Sequence, residues 1–434
     1  MDTGNARGKV ITLFLLTTSK GGSSNMLGLG VERTWMKGLF QSYYHSHPVN
    51  PPYDVSRREF GHGSFKKIDT RHLSFDTTAE FNAFLQNVSP LYISASASQF
   101  LNPSAQPISS KGLIGSDLIY EFDADDIPSP CKEIHDSWKC VQCAAVGKGH
   151  VKKCPYCGHG TQLDEWVCSS CLSSTKEQTF SLLNVLQDDF GFTSNDLRIN
   201  FSGSKGYHVH VSSPSIFSLP KSARIELMDY LSLHEWDVAS AGFFFDGKQF
   251  HCPKMNHAVG LASRLLNEIR NKLEFGSIEE WAVLSGTIPR VLKPFLLDRE
   301  RLLRDVSAGV LPPLPGKKTE SFWGNVLSSL SLRIKLNIDR QTSGDIYKLL
   351  RVPDTLHGST GFVSKSLSLE TLSPFDPFVD AVAFSRSIKR KVFVKTSPMI
   401  RIGDETLDPL SEKEVLVSES MAAYLVGWGA ATLR

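Results

Sequence analysis

The chain has no hydrophobic run long enough to cross a bilayer: no stretch approaches about 20 uninterrupted apolar residues, which excludes a membrane-spanning helix. It also lacks a charge imbalance. Lys and Arg number 47 against 45 Asp and Glu, for a net +2, so bulk charge predicts no partner and any nucleic-acid footprint must be a local patch. Cysteine is scarce outside one segment: of eight, seven lie between Cys131 and Cys171 and only Cys252 lies elsewhere. That distribution argues against a disulfide framework and for metal. No internal repeat is present beyond the paired cysteines. The apolar VITLFLL of residues 10–16, behind Arg7 and Lys9, is at the short end for a signal peptide. The expectation is a soluble, cytoplasmic protein with no membrane association and an unstructured leader over residues 1–25.

At 434 residues the chain exceeds the usual single-domain range, so one large elaborated fold or two to three modules are expected. Periodicity predicts a helix over 29–45, short strands from Ser56 to Phe75, and a helix from Thr78 to Gln86 capped by Thr78. A strand is expected over Asp117–Asp126, a helix over Lys176–Asp189, and a strand, glycine turn and strand in RINFSGSKGYHVHVSS. Residues 220–334 read as mostly helical. Strands are expected again in LRIKLNID, GFVSKSLSL and KRKVFVKTSPMIRI, with a helix around Asp345, Lys348 and Arg351 and a closing helix in KEVLVSESMAAYLVGWG. The order fits an α/β core interrupted by a helical insertion.

Three CxxC pairs, Cys140/Cys143, Cys154/Cys157 and Cys168/Cys171, follow a CKEIH that supplies Cys131 and His135. Each pair lets two thiolates reach one ion from a tight turn, and a second pair 10 to 25 residues on completes a tetrahedron. The expected arrangement is nested: Cys140, Cys143, Cys154 and Cys157 inside, Cys131, His135, Cys168 and Cys171 outside. With every position filled by protein, both zinc ions are expected to be structural. Lys139, Lys148, Lys152 and Lys153 are interleaved with Trp138 and Tyr156, which fits either a nucleic-acid contact or a solvated face.

In YEFDADD, Asp123 and Asp125 stand two apart on the expected strand and so share a face. Two carboxylates held together repel unless a cation lies between them, and hard oxygen donors suit Mg²⁺ or Mn²⁺. SGSKGYHVHV adds a glycine turn able to offer N–H groups to phosphate, with Lys205 beside it and His208 and His210 on one strand face. Basic groups near these carboxylates point to an anionic, metal-bridged substrate such as a nucleoside triphosphate. Between residues 381 and 403, Arg386, Lys389, Arg390, Lys391, Lys395 and Arg401 occur with no acid, a tract that fits template binding or a solvated strand.

Taken together, RREF (57–60), FDADD (122–126), the CKEIHDSWKC…CPYC…WVCSSCL segment, FSGSKGYHVHV (201–211) and NID…DIYKLLRVPDTLHGSTG (337–361) resemble the catalytic small subunit of archaeal and eukaryotic DNA primases, with the archaeal branch nearest. The resemblance runs from about residue 26 to the C-terminus. It implies an RRM-like α/β primase core with an inserted zinc-binding segment and a small helical insertion. The corresponding division is core over 26–215 (zinc insert 131–171), helical insertion over 216–330 and core again over 331–434. It also implies template-directed synthesis of short primers, of RNA or also of DNA, on single-stranded DNA from nucleoside triphosphates, for replication initiation and lagging-strand synthesis, in a heterodimer with a large subunit.

By the same resemblance Asp339 joins Asp123 and Asp125 around two divalent ions. Ser202, Gly203, Lys205 and His208 grip the triphosphate, and Arg58, Arg351 and His357 complete the nucleotide contacts. A related repair or translesion primase-polymerase and a non-catalytic zinc-ribbon subunit are the alternatives. The chain departs from relatives in carrying Ser204 and Lys205 where arginines often stand, which exchanges a bidentate clamp for a point charge. The four inner cysteines form an insertion that shorter members lack.

Overall fold

The computed structural model of the chain describes residues 29–63, 68–314, 319–338 and 344–434; the expected leader lies outside them. The first part carries α1 (Leu29–Ser46), β1 (Arg58–Gly63), β2 (Ile68–Leu73), α2 (Thr78–Val88), β3 (Tyr92–Phe100), β4 (Leu113–Ser116) and β5 (Leu118–Asp123). The cysteine segment follows with α3 (Lys132–His135), β6 (Ser137–Cys140), β7 (Val146–Lys148) and β8 (Thr161–Asp164). α4 (Ser169–Asp188), β9 (Leu197–Phe201) and β10 (Gly206–Val211) come next. After α5 (Pro214–Phe217) and α6 (Lys221–Ser232) come β11 (Phe244–Phe245), β12 (Phe250–His251), α7 (Gly260–Phe275), α8 (Ile278–Ser285), α9 (Pro289–Phe295), α10 (Arg299–Ser307), β13 (Val310–Leu311) and α11 (Thr319–Ile334). The last part holds β14 (Leu349–Arg351), β15 (Ser366–Leu367), α12 (Leu369–Leu372), α13 (Pro377–Asp380), β16 (Lys389–Ser397), β17 (Ile400–Ile402), β18 (Glu405–Leu407), β19 (Leu410–Ser418), α14 (Glu419–Trp428) and β20 (Ala431–Leu433).

Two antiparallel sheets dominate this mixed α/β fold. In the first, β14, β3, β1 and β2 lie side by side, with β4 also paired to β3. The central strand β3, YISASASQF, is buried from Ile93 to Phe100, and its small alternating Ser and Ala side chains admit close packing on both faces. α1 and α2 cover one face: Met36, Phe40, Tyr44, Phe81 and Leu85 pack with Phe60 and Ile93. The α2 cap is Thr77, one residue before the expected Thr78, because the Thr77 hydroxyl accepts the Glu80 N–H. The second sheet runs β15, β9, β10, β5. Leu118, Tyr120, Phe122 and Ala124 turn into a core shared with Leu182, Leu183 and Leu186 of α4 and Tyr424 of α14. Ala97, Ile119 and Leu350 form a small cluster joining the two sheets, so the layers run helix, sheet, sheet, helix. The helical segment has a core of its own around Trp281, Phe295, Phe322 and Trp323, in which Cys252 is buried, and the cysteine segment packs around Trp138.

Several local expectations are corrected. β5 ends at Asp123, not Asp126: the Asp126 N–H bonds the Asp123 carbonyl at 3.0 Å and closes a turn, so Asp125 sits in the turn beyond the strand. The helix expected around Asp345–Arg351 is instead β14, laid antiparallel on β3 with Leu350 opposite Ala95. The described part of LRIKLNID, residues 332–338, is not a strand: its first residues complete α11, and the Leu336 N–H then bonds the Leu231 carbonyl. KEVLVS belongs to β19, paired with β16, and the closing helix begins at Glu419, where the Ser418 hydroxyl accepts the Met421 N–H. α4 begins earlier than expected, at Ser169, which puts Cys171 inside its first turn.

Candidate active site and metal centres

The cysteine segment sorts its ligands as the spacing predicts. Cys131, His135, Cys168 and Cys171 form one group and Cys140, Cys143, Cys154 and Cys157 another, with the donor atoms of each group within 4.8 Å of one another. Sulfur separations are 3.3 Å for Cys131–Cys171 and 3.8 Å for Cys168–Cys171 in the outer group. In the inner group they are 3.4 Å for Cys140–Cys157, 3.5 Å for Cys143–Cys157 and 3.7 Å for Cys143–Cys154. These distances are far above the ~2.05 Å of a disulfide. They approach the ~3.8 Å edge of a tetrahedron with ~2.3 Å Zn–S arms. The Cys140 sulfur also accepts the N–H groups of Gln142 and Cys143, each at 3.4 Å, and the thiol is pushed down to about 6, first by the Cys143 N–H. His135 aims Nε2 at the Cys171 sulfur, 3.2 Å away, while its Nδ1–H donates to Asp136 at 2.7 Å, which fixes the ring for ligation.

Between the two sheets opens a cleft of about 570 Å³, lined by Glu121 and Asp123 of β5, Ser202, Ser204 and Lys205 of the β9–β10 turn, and His208 of β10. The turn is held by Ser202, whose hydroxyl accepts the N–H groups of Ser204 and Gly206 at 3.3 and 3.2 Å. Two glycines are required there. Gly203 has φ +84°, the left-handed region, and a Cβ at Gly206 would stand 1.8 Å from the Phe122 carbonyl oxygen across the strand pair. The turn thereby carries Lys205 onto Asp125, with which it forms an ion pair. The Asp123 carboxylate, by contrast, makes no hydrogen bond or ion pair to any described residue. Burial, then Glu121 and Asp125, push its carboxyl up to about 7. A half-buried acid under that pressure, with oxygen donors on either side, fits a divalent cation.

The opposite wall comes from the first sheet. β14 delivers Arg351, which is 4% exposed and stacks its guanidinium 3.7 Å from the ring centre of Tyr92. Nη1 donates to the Leu356 carbonyl at 3.3 Å, whereas Nε and Nη2 find no partner among the described residues. His357 lies half-buried beside it, and desolvation together with the Arg351 charge holds its ring well below the usual histidine range, hence neutral. Its Nδ1 accepts the Ser359 N–H at 3.2 Å, which leaves the ring proton on Nε2 as a donor. Lys348 forms an ion pair with Glu121, and His208 Nε2 lies 3.6 Å from the same carboxylate. Carboxylates thus face cationic and neutral donors across one cleft, a layout suited to a polyphosphate held through a cation.

The family model for the DNA primase small subunit matches residues 160–369, a span holding the β9–β10 turn, Arg351 and His357. The PriS small subunit of DNA primase from Methanosarcina barkeri is 25% identical, covering 92% of this chain and 95% of its own. Those of Archaeoglobus fulgidus and Cenarchaeum symbiosum are 27% and 26% identical over 92% and 91% of this chain. Over most of its length the chain is similar to archaeal DNA primase small subunits.

Most of the residues that the resemblance singles out converge: Asp123, Ser202, Lys205, His208, Arg351 and His357 line one cleft, Gly203 shapes its turn and Asp125 meets Lys205. Asp339 lies outside the described residues. Arg58 is not brought to the cleft. It is 3% exposed, donates to the carbonyls of Tyr53, Ser96 and Ala97, pairs with Asp117 at 3.3 Å, and lines a second inter-sheet cavity of about 670 Å³. His210 opens onto that cavity too, while Arg351 borders both. Glu121 and Lys348 were not singled out as site residues from sequence. The acidic strand face contained Glu121, but only the fold shows Lys348 reaching it. Tyr92 carried no sequence signal, because its role is to stack on an arginine 259 positions later.

The basic tract is largely neutralised. Arg386, Lys389, Arg390, Lys391 and Arg401 pair with Asp404, Glu405, Glu419, Glu414 and Asp376. Lys139, Lys148, Lys152 and Lys153 of the cysteine segment are exposed, as is Tyr156, whereas Trp138 is core there and donates to the Lys148 carbonyl. No described helix is long and apolar enough to cross a membrane.

Proposed function

We propose that the chain is the catalytic subunit of a DNA primase, making short RNA primers on single-stranded DNA from nucleoside triphosphates in the initiation of replication and in lagging-strand synthesis. The observation that carries this reading is Arg351. A buried guanidinium with two unmatched donors, set across a cleft from Asp123, calls for an anion that spans the gap. A triphosphate held through a cation on the β5 side answers both walls at once.

In this reading Asp123, Asp125 and Asp339 hold two Mg²⁺ or Mn²⁺ ions. When bound, such ions lower the pKa of the attacking 3′-hydroxyl and neutralise the charge of the leaving pyrophosphate. Arg351 and His357 donate to phosphate oxygens, and the Ser202–Gly206 turn with Lys205 and His208 cradles the rest of the triphosphate. As cations fill the carboxylate side, Lys205 is released from Asp125 toward phosphate. Arg58 acts behind the cleft, fixing β1 to β3 and β5. Two Zn²⁺ ions in the cysteine groups are structural, and the exposed lysines of that segment face the template strand. Residues 26–215 and 331–434 form the core, with the zinc insert at 131–171 and the helical insertion at 216–330. A large subunit completes a soluble cytoplasmic heterodimer.

The direct test is synthesis by the chain with its large subunit on single-stranded homopolymers. An oligo-dT template should direct ATP alone into short products, and an oligo-dC template GTP alone. Products whose composition ignores the template, or none at all, would overturn the reading.

A further inference from the structure

Beside the outer cysteine group lies a third convergence of ligands that neither the cysteine spacing nor the catalytic cleft uses. Asp136, His150 and Glu165 bring one donor atom each to within 4.8 Å of one another. His150 Nδ1 stands 3.5 Å from Asp136 Oδ2 and 3.5 Å from Glu165 Oε1, too far for good hydrogen bonds yet suited to a common ion between them. Asp136 is fully buried. Its Oδ1 is taken by the Nδ1–H of His135 at 2.7 Å and the Trp166 N–H at 3.0 Å, but Oδ2, turned toward His150, has no hydrogen-bond partner among the described residues, and neither has His150 Nδ1. A buried carboxylate oxygen facing an unpartnered imidazole nitrogen costs free energy unless something charged sits between them.

We propose that Asp136, His150 and Glu165 bind a third divalent transition-metal ion, distinct from the two cysteine groups. One imidazole nitrogen and two carboxylate oxygens form a borderline donor set suited to Zn²⁺. Three protein ligands leave a position for water, which the part-exposed side chains of His150 and Glu165 permit. The ion would clamp three segments just beyond the end of the β6 pairings with β7 and β8, where Ser137 stands opposite Lys148 and Asp164: the end of α3 at Asp136, the loop after β7 at His150 and the exit from β8 at Glu165. It also touches two sites at once. Asp136 is the carboxylate that orients the zinc-facing His135, and Glu165, with Leu163 and Asp164, lines the candidate catalytic cleft. Occupancy would therefore fix the cleft wall to the zinc-binding segment. The assignment does not depend on the primase reading.

The test is metal content by mass spectrometry of the full chain, equilibrated with Zn²⁺ and desalted, together with Co²⁺ titration of the desalted protein. Wild type should retain one more zinc equivalent than His150→Gln or Glu165→Gln, while Asp123→Asn, which disturbs only the catalytic carboxylates, should retain it. Depleted of that equivalent by mild chelation, wild type should take up Co²⁺ with d–d absorption but no thiolate charge transfer, a signal absent from both variants. Retention of the cysteine-bound zinc in Glu165→Gln shows that the segment is still folded. Wild type holding no ion beyond the cysteine groups, or equal zinc in wild type and Glu165→Gln, would overturn the proposal.

Discussion

Asp123 concentrates the electrostatic tension of the molecule. Its carboxyl is raised to about 7 by burial and by Glu121 and Asp125, against 3.8 ordinarily. A carboxyl whose folded pKa lies above its unfolded value contributes stability in its protonated form, fully present below about pH 4 and lost as pH rises to about 7. A divalent ion must displace that proton, so its hold on the fold strengthens over the upper part of the same window. The rise in Tm produced by Mn²⁺ is therefore expected to be much larger at pH ~8 than at pH ~6, and Asp123→Asn should flatten the difference. Equal Tm shifts at both pH values would count against Asp123 as a cation ligand. At this scale the sequence was informative about chemistry and poor about position. Alternation in YEFDADD marked the acidic face, yet the turn that takes Asp125 off the strand depends on the β9–β10 turn reaching back over it, since the Ala124 N–H bonds the Lys205 carbonyl at 3.0 Å. Arg58 could not be separated from the cleft residues by motif alone, because its partners are backbone carbonyls 38 and 39 residues away.

Among the elements, the β5–β10 pair carries the site, and its tightest contact is Gly206 on the Phe122 carbonyl. That neighbour is backbone and cannot step aside, so Gly206→Ala should lower stability by roughly 3 kcal/mol or more, read as a fall in denaturation midpoint or as failure to fold. A loss under about 0.5 kcal/mol would mean that the strands are not in this register. The two cysteine groups should differ in reach. Cys168 and Cys171 pack with the main core at the start of α4, whereas Cys140, Cys154 and Cys157 belong to the small cluster around Trp138. Cys171→Ser is expected to lower the global Tm sharply. Cys154→Ser should release the zinc and the protection of amides in residues 137–164 while leaving core amides protected in hydrogen exchange. Identical global losses would contradict this division. Long periodic helices and the strand–turn–strand of β9 and β10 were legible in sequence. The misassigned segments were short apolar runs such as YKLLR and KEVLV, where periods of 2 and 3.6 fit equally and only the partner strand, β3 or β16, decides.

For the whole molecule, what the sequence could convey was an ordered set of motifs, and what it could not was their assembly. Arg351 enters the cleft because β14 pairs with β3, some 250 positions earlier in the chain, a contact with no local signature. The same holds for charge. A tract with six basic residues and no acid fits a binding surface or a solvated strand equally from sequence, but five of the six have carboxylate partners from elsewhere in the tail, leaving the lysines of the cysteine segment as the freer cations. The surrounding architecture converges on one cleft in which carboxylates oppose Arg351 and His357. The measurement that bears on it most directly is the rate of template-directed incorporation at saturating nucleotide and Mn²⁺, with the large subunit present, for wild type and Asp123→Asn. Because Asn removes a half-buried charge without changing shape, the variant should stay folded and lose at least about a thousandfold in rate. A rate within tenfold of wild type would contradict the placement of catalysis at this carboxylate.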